Sequence, residues 1–141
     1  MDDPLDTLLP AGAAGPEMRW ADGAGRLLGI TVRELGDGRA LATMLVRPDM
    51  VNQHGVAHGA MVFALADSAF ACACNSRGIL TVAAGADITF VTAAHVGDRL
   101  VAKATERTSF GRHGIYDVTV SREGTVVAEF RGRSTAPRRW G

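Results

Sequence analysis

Residues 59–75 run Gly-Ala-Met-Val-Phe-Ala-Leu-Ala-Asp-Ser-Ala-Phe-Ala-Cys-Ala-Cys-Asn, seventeen positions with a single charge. Good helix formers fill the run, with no proline and no interior glycine. It is apolar on nearly every face. That pattern predicts a helix enclosed by other elements rather than one lying on a surface. Asn75, Ser76 and Gly78 supply its stop. The run is shorter than the roughly 20 residues of a membrane span.

A sheet is the natural enclosure. Residues 27–34 and 40–47 carry strand composition and are parted by the turn signal Gly36-Asp37-Gly38, with Pro48 stopping the second. Four further strand candidates follow the helix, at 81–91, 99–107, 113–121 and 125–134. In the third of these, Ile115, Asp117 and Thr119 alternate with Tyr116, Val118 and Val120. One long buried helix followed by four strands in a meander predicts an α+β domain whose antiparallel sheet wraps the helix on all sides. Residues 1–20 read as an N-terminal arm or short helix, with Leu5, Leu8 and Leu9 as its apolar cluster, and 21–141 as a single domain.

Fifteen Lys plus Arg balance fifteen Asp plus Glu. Zero net charge argues against a general nucleic-acid binder, which needs a basic excess to neutralise phosphates. No basic, apolar leader opens the chain, and no stretch predicts a membrane span, so a cytoplasmic protein is expected. Cys72 and Cys74 point about 160° apart on a helix, which suits neither a mutual disulfide nor a CxxC site. They are expected to be buried thiols in a reducing compartment.

Asp67 is the residue that does not belong in the apolar helix. A buried carboxylate without a partner costs several kcal/mol or shifts its pKa, and aspartate is a poor helix former away from the first turn. Either it pairs with a backbone group or an arginine, or it is used in chemistry. The second feature is the helix entrance, Asn52-Gln53-His54-Gly55-Val56-Ala57-His58-Gly59-Ala60. Small residues there leave N–H groups free at the positive end of the helix dipole, where a developing oxyanion is stabilised; the alternative is a plain Gly-rich turn. Gly59 and Asp67 lie eight residues apart, about 12 Å along one helix. One reacting carbonyl needs its donor and its base each about 3 Å away. If both act, they come from two subunits with antiparallel helices. A two-fold dimer with two composite sites is therefore expected.

These residues resemble the PaaI branch of the hotdog thioesterases, acyl-CoA thioesterases of the phenylacetic-acid pathway. The resemblance rests on Asn52-Gln53-His54-Gly55-Val56-Ala57-His58-Gly59-Ala60 followed by Leu65-Ala66-Asp67-Ser68-Ala69, with Gly97-Asp98 and Ala128-Glu129-Phe130-Arg131-Gly132-Arg133 further on. It implies a hotdog fold, a central helix in an antiparallel sheet, assembled as dimers and often tetramers. It implies that Gly59 N–H polarises a thioester carbonyl and that Asp67 acts as general base on water, or as a nucleophile. It implies that Asn52 places the thioester or the water, and that His58 orients the loop. Ser68 joins the expected substrate-binding residues, although it points about 100° from Asp67 on a helix. Arg112 is the candidate for the phosphates of coenzyme A, with Arg131 or Arg133 beside it. Coenzyme A is part of the substrate, and neither a cofactor nor a metal is expected.

Two departures from the family pattern stand out. Ala60 occupies the place of a second glycine, and Val82-Ala83-Ala84-Gly85 offers no hydroxyl opposite the carboxylate. Three other readings compete. A hotdog hydratase would draft His54 or His58; a non-catalytic acyl-CoA-binding dimer would keep the cleft without turnover. A zinc site on His54 and His58 lacks the adjacent glutamate, which is Gly55 here, and precedes the helix. For Phe63, Phe70, Phe90 and Phe110, packing in the core is expected ahead of lining a pocket.

Overall fold

The computed structural model describes residues 18–137. The acidic, Leu-bearing start of the chain lies outside the described residues. A strand β1 (Arg19–Trp20), a helix α1 (Gly23–Leu28), strands β2 (Thr31–Gly36) and β3 (Arg39–Leu45), and a 3-10 turn at Pro48–Met50 precede the long helix α2 (Gly59–Cys74). Strands β4 (Val82–Phe90), β5 (Arg99–Phe110), β6 (His113–Arg122) and β7 (Thr125–Thr135) complete one antiparallel sheet ordered β1-β2-β3-β5-β6-β7-β4. Helix α2 packs across one face of it, chiefly over β3, β5 and β6. The α+β hotdog architecture is as expected.

Three details differ from expectation, each for a local reason. The strand expected from residue 27, β2, begins at Thr31, because Asp22 caps α1 by accepting the Gly25 N–H at 2.6 Å. Gly29, at φ 71°, then ends that helix in the left-handed region that only glycine enters freely. Leu27 and Leu28, expected in the strand, therefore lie in α1. Arg19 and Trp20, at the end of the stretch read as an arm or short helix, form a strand paired with Val32 and Thr31. Finally, only β5, β6 and β7 form a meander. Strand β4 passes to the far edge and pairs with β7, with a bulge between Ala83 and Gly85.

The core follows from side-chain alternation. Tyr116, Val118 and Val120 of β6 point inward, opposite Ile115, Asp117 and Thr119. Phe70, Phe130 and Tyr116 meet edge-on or tilted, with ring centroids 5.6 and 5.8 Å from Phe70. Gly132 makes room for that cluster, since a Cβ there would lie 2.7 Å from the Phe70 ring. Phe70 is core, as expected, and Phe63 packs on Phe130 at its margin. Phe90 and Phe110 are not core residues: they are 54% and 56% exposed.

The long helix is enclosed on one side only. Val62, Leu65, Ala66, Ala69, Phe70 and Ala73 are buried against the sheet. Ala60, Ala64, Asp67 and Ala71, spaced by four, three and four, form an opposite stripe that the chain's own sheet leaves exposed or half-covered. Among the described residues, complete enclosure within one subunit, the expected reason for the missing polar face, is thus not found. The open stripe is small and apolar apart from one carboxylate.

Gly132→Ala is expected to destabilise the fold by about 1–3 kcal/mol, the usual consequence of overpacking a filled core. Urea unfolding of the variant beside the parent chain measures it.

Candidate active site

The loop before α2 is built by its own polar groups. Asn52 Oδ1 accepts the N–H groups of His54 (2.9 Å) and Val56 (3.2 Å), and the Asn52 carbonyl accepts that of Gly55 (3.0 Å). Asparagine's acceptor is committed to the turn, leaving its amide N–H₂ as the group able to meet a ligand. The loop is then pinned from both sides. Ala57 N–H donates to Ala94 O and His58 N–H to Met50 O, each at 2.8 Å.

The 92–98 segment that receives Ala57 has its own brace, one that the sequence suggests only as a Gly97-Asp98 turn. Asp98 accepts from the His95 N–H and from Arg122, both at 2.8 Å. The His95 hydrogen bond and then Arg122 hold this carboxyl below its ordinary range.

His58 is the N-cap of α2 and its ring Nδ1 accepts the Ala60 N–H at 3.3 Å. In that role Nδ1 is the acceptor, which leaves Nε2 as the ring nitrogen able to donate. The His58 carbonyl takes the N–H groups of Met61 (2.9 Å) and Val62 (3.4 Å). Among the described residues, the Gly59 N–H donates to nothing. The first amide of a sixteen-residue helix is thus left open at the positive end of its dipole. Gly59 also has no space for a side chain, since a Cβ there would lie 2.9 Å from Phe90 Cζ.

Asp67 lies two turns further along the open stripe, about 12 Å away by the helix rise. It is half-buried and, among the described residues, makes no ion pair or hydrogen bond. Among the described residues, the arginine partner that would give this residue a structural role is not found. Burial, and secondarily the charge of Asp22, pushes its carboxyl above the ordinary value. Ser68 beside it donates its hydroxyl to the Ala64 carbonyl at 2.8 Å and faces a cavity of about 270 Å³ that it shares with Asp22, Ala71 and Cys72. Both thiols are free; Cys74 is buried, and Cys72 is half-buried on the rim of that cavity. Burial raises both, Cys74 to about 11.

Arg112 stands at the other end of the helix, in a cavity of about 310 Å³ with Cys74 and Arg77. Since α2 spans about 24 Å, one chain does not bring Arg112 to its own Gly59. Arg131 is paired bidentately with Asp117 (2.7 and 2.9 Å) and Arg133 with Asp87 (3.0 Å). Neither is a free cation. Among the described residues no three His, Cys, Asp or Glu side chains gather as metal ligands, and no helix is long and apolar enough to cross a membrane.

The chain that carries this open N–H at a helix start and this carboxylate on the same helix is similar to known proteins over most of its length. The family model described as "Thioesterase superfamily" matches residues 54–129, which include Gly59, Asp67 and the Asp98 brace. The chain belongs to the thioesterase superfamily. It is accordingly a thioester hydrolase by class. It is 40% identical over 114 residues to the acyl-coenzyme A thioesterase PaaI of Escherichia coli K12, covering 80% of this chain and 81% of that enzyme. Among solved structures, the PaaI protein of the E. coli phenylacetic acid degradation operon superposes with a TM-score of 0.80 at 38% identity, over 82% of this chain and 85% of that one. A variant of the phenylacetic acid degradation protein PaaI from Thermus thermophilus gives 0.79 at 38% identity, over 82% and 100%.

A carboxyl whose folded pKa lies above its unfolded value makes the folded state bind more protons between the two. The sign follows: in that window stability falls as pH rises, and above the folded pKa the full cost of the buried charge is felt. Asp67→Asn is therefore expected to raise the melting temperature at neutral pH. The gain should vanish below the ordinary carboxylate pKa. Calorimetry across pH checks it, and a melting temperature lowered at neutral pH would contradict it.

Proposed function

We propose that the chain hydrolyses acyl-CoA thioesters at two composite sites of an antiparallel dimer, Gly59 of one subunit facing Asp67 of the other. The open Gly59 N–H is the observation that carries the reading: a preorganised donor with no partner, at a helix start, suits the oxyanion of a carbonyl under attack. The uncovered stripe of α2 supports the pairing, because a second helix laid against Ala60, Ala64 and Ala71 would approach closely and bring Asp67 toward the partner's helix start. Two such dimers pairing into a tetramer is part of the same proposal. A cytoplasmic setting suits the two free thiols.

In the proposed step, Asp67 takes a proton from water as the water oxygen bonds to the thioester carbon. Negative charge gathers on the carbonyl oxygen, held by the Gly59 N–H and the helix dipole. Collapse of the tetrahedral intermediate breaks the C–S bond. The free acid and the CoA thiolate leave, with the proton returned from Asp67 to the sulfur or to solvent. A raised carboxyl pKa, caused first by burial, makes Asp67 a stronger base than an ordinary carboxylate. The Asn52 amide and the His58-capped loop position the thioester. Arg112, with no ion pair among the described residues, meets the CoA phosphates; it lies toward Asp67's end of the helix and hence on the side of the partner's Gly59. The names of the relatives support an aromatic acyl group of phenylacetyl or hydroxyphenylacetyl type.

Asp67→Asn is expected to lower kcat for thiol release by about 10²–10⁴-fold while KM changes little. In the parent enzyme kcat should fall as pH drops through a pKa above the ordinary carboxylate value, and that limb should disappear in the variant. Thiol release unaffected by Asp67→Asn would remove the carboxylate from the reaction. A parent chain that binds acyl-CoA without turnover would fit a binding module instead.

A further inference from the structure

Phe90 is the last residue of the edge strand β4, and its ring lies against Gly59, with Cζ 2.9 Å from where a Cβ at 59 would sit, while remaining 54% exposed. It forms one wall of a cleft of about 390 Å³, within the range of small-molecule pockets. Val62 of α2, Val56 of the loop, Val91 and Val127 supply the other walls. Thr92 alone among the lining residues has a polar side chain, and none is charged. The wall is firmly placed: the N–H groups of Val91 and Thr92 both donate to Val127 O (2.8 and 3.2 Å), and Ala94 O holds the loop through Ala57. A large, half-exposed aromatic face, at the end of a strand whose continuation is held by backbone hydrogen bonds, thus stands against the helix start whose first N–H is open.

We infer that Phe90 is a specificity-determining residue, the wall that selects a neutral, apolar acyl group and limits its bulk beside the Gly59 N–H. The inference rests on the proposed thioesterase reading and deepens it. An acyl chain carrying a second carboxylate would have to desolvate that charge against valine and alanine side chains, with no cation among the residues that this subunit contributes to the cleft. A flat aryl group finds an aromatic face to pack on. The ring gives Gly59 a reason to lack a side chain that its N–H does not. A methyl group at 59 leaves the donor in place and displaces the wall.

The test measures kcat/KM by thiol release for the full chain with acetyl-, phenylacetyl-, naphthylacetyl-, decanoyl- and succinyl-CoA. Thermal melting and oligomer size are followed in parallel. Phe90→Ala should shift the ratio of naphthylacetyl to phenylacetyl turnover upward by about tenfold, and Phe90→Trp should shift it downward, the scale on which apolar pockets discriminate size. Succinyl-CoA should be the poorest of the larger substrates throughout. Gly59→Ala should lose activity, and Phe90→Ala in the same chain should restore a large part of it. Unchanged ratios in both folded Phe90 variants would overturn the inference alone. So would a parallel fall across the panel with weaker self-association, the mark of a ring that serves only the subunit interface. A parent chain that releases no thiol from any of these substrates would take down the proposed function and this inference together.

Discussion

Helix α2 places its large side chains, Leu65 and Phe70 above all, against the sheet and leaves a stripe of alanines with one aspartate on the other side. A carboxylate in that position is neither solvated as at a surface nor paired as in a core. Its ordinary fate would be replacement by a residue that packs. Everything else in the site follows from keeping it. The helix must remain regular for two turns between Gly59 and Asp67, so the two groups point to separate sites along one axis. The proposed chemistry therefore needs a second chain. The open alanine stripe is the surface through which a second chain can approach.

The helix start is equally constrained. A capping side chain normally satisfies one first-turn amide and leaves others to water. Here His58 satisfies Ala60 through its ring and Met61 and Val62 through its carbonyl, so the unmet donor is reduced to Gly59. The position of that donor is fixed by backbone bonds of the 50–58 loop to Met50 and to Ala94, and the second of these depends on the Asp98–Arg122 brace. The donor is thus preorganised by groups on three separate segments of chain. That arrangement favours charge developing in a transition state, because little has to move when it develops.

Much of this is legible in the sequence, and the limits have physical causes. The helix is readable because seventeen residues without proline or interior glycine leave few alternatives, and the lone Asp67 stands out for the same reason. The strands of the meander are readable where alternation is regular, as in β6. The placement of β4 at the far edge is not, since edge and central strands differ in their partners and not in their period. Helix α1 escapes notice because six residues with two leucines resemble a strand start until the Asp22 and Gly29 caps are weighed. Gly59 is legible as a candidate donor, but the capture of its neighbours by His58 is not. Phe90 reads as core because an isolated aromatic at a strand end is usually buried, and its stacking on a glycine far back in the chain has no local signature.

The central claim is that each site draws its oxyanion donor and its carboxylate from different subunits. The most direct test joins two inactive chains, one carrying Asp67→Asn and the other Gly59→Pro, which removes the N–H at the first helical position, where the proline backbone fits, and also brings a ring carbon against Phe90. Two affinity tags allow the mixed dimer to be isolated. It should recover about half the thiol-release activity of the parent dimer, because one of its two sites combines an intact Gly59 with an intact Asp67. A mixed dimer as inactive as either parent variant would contradict a shared site.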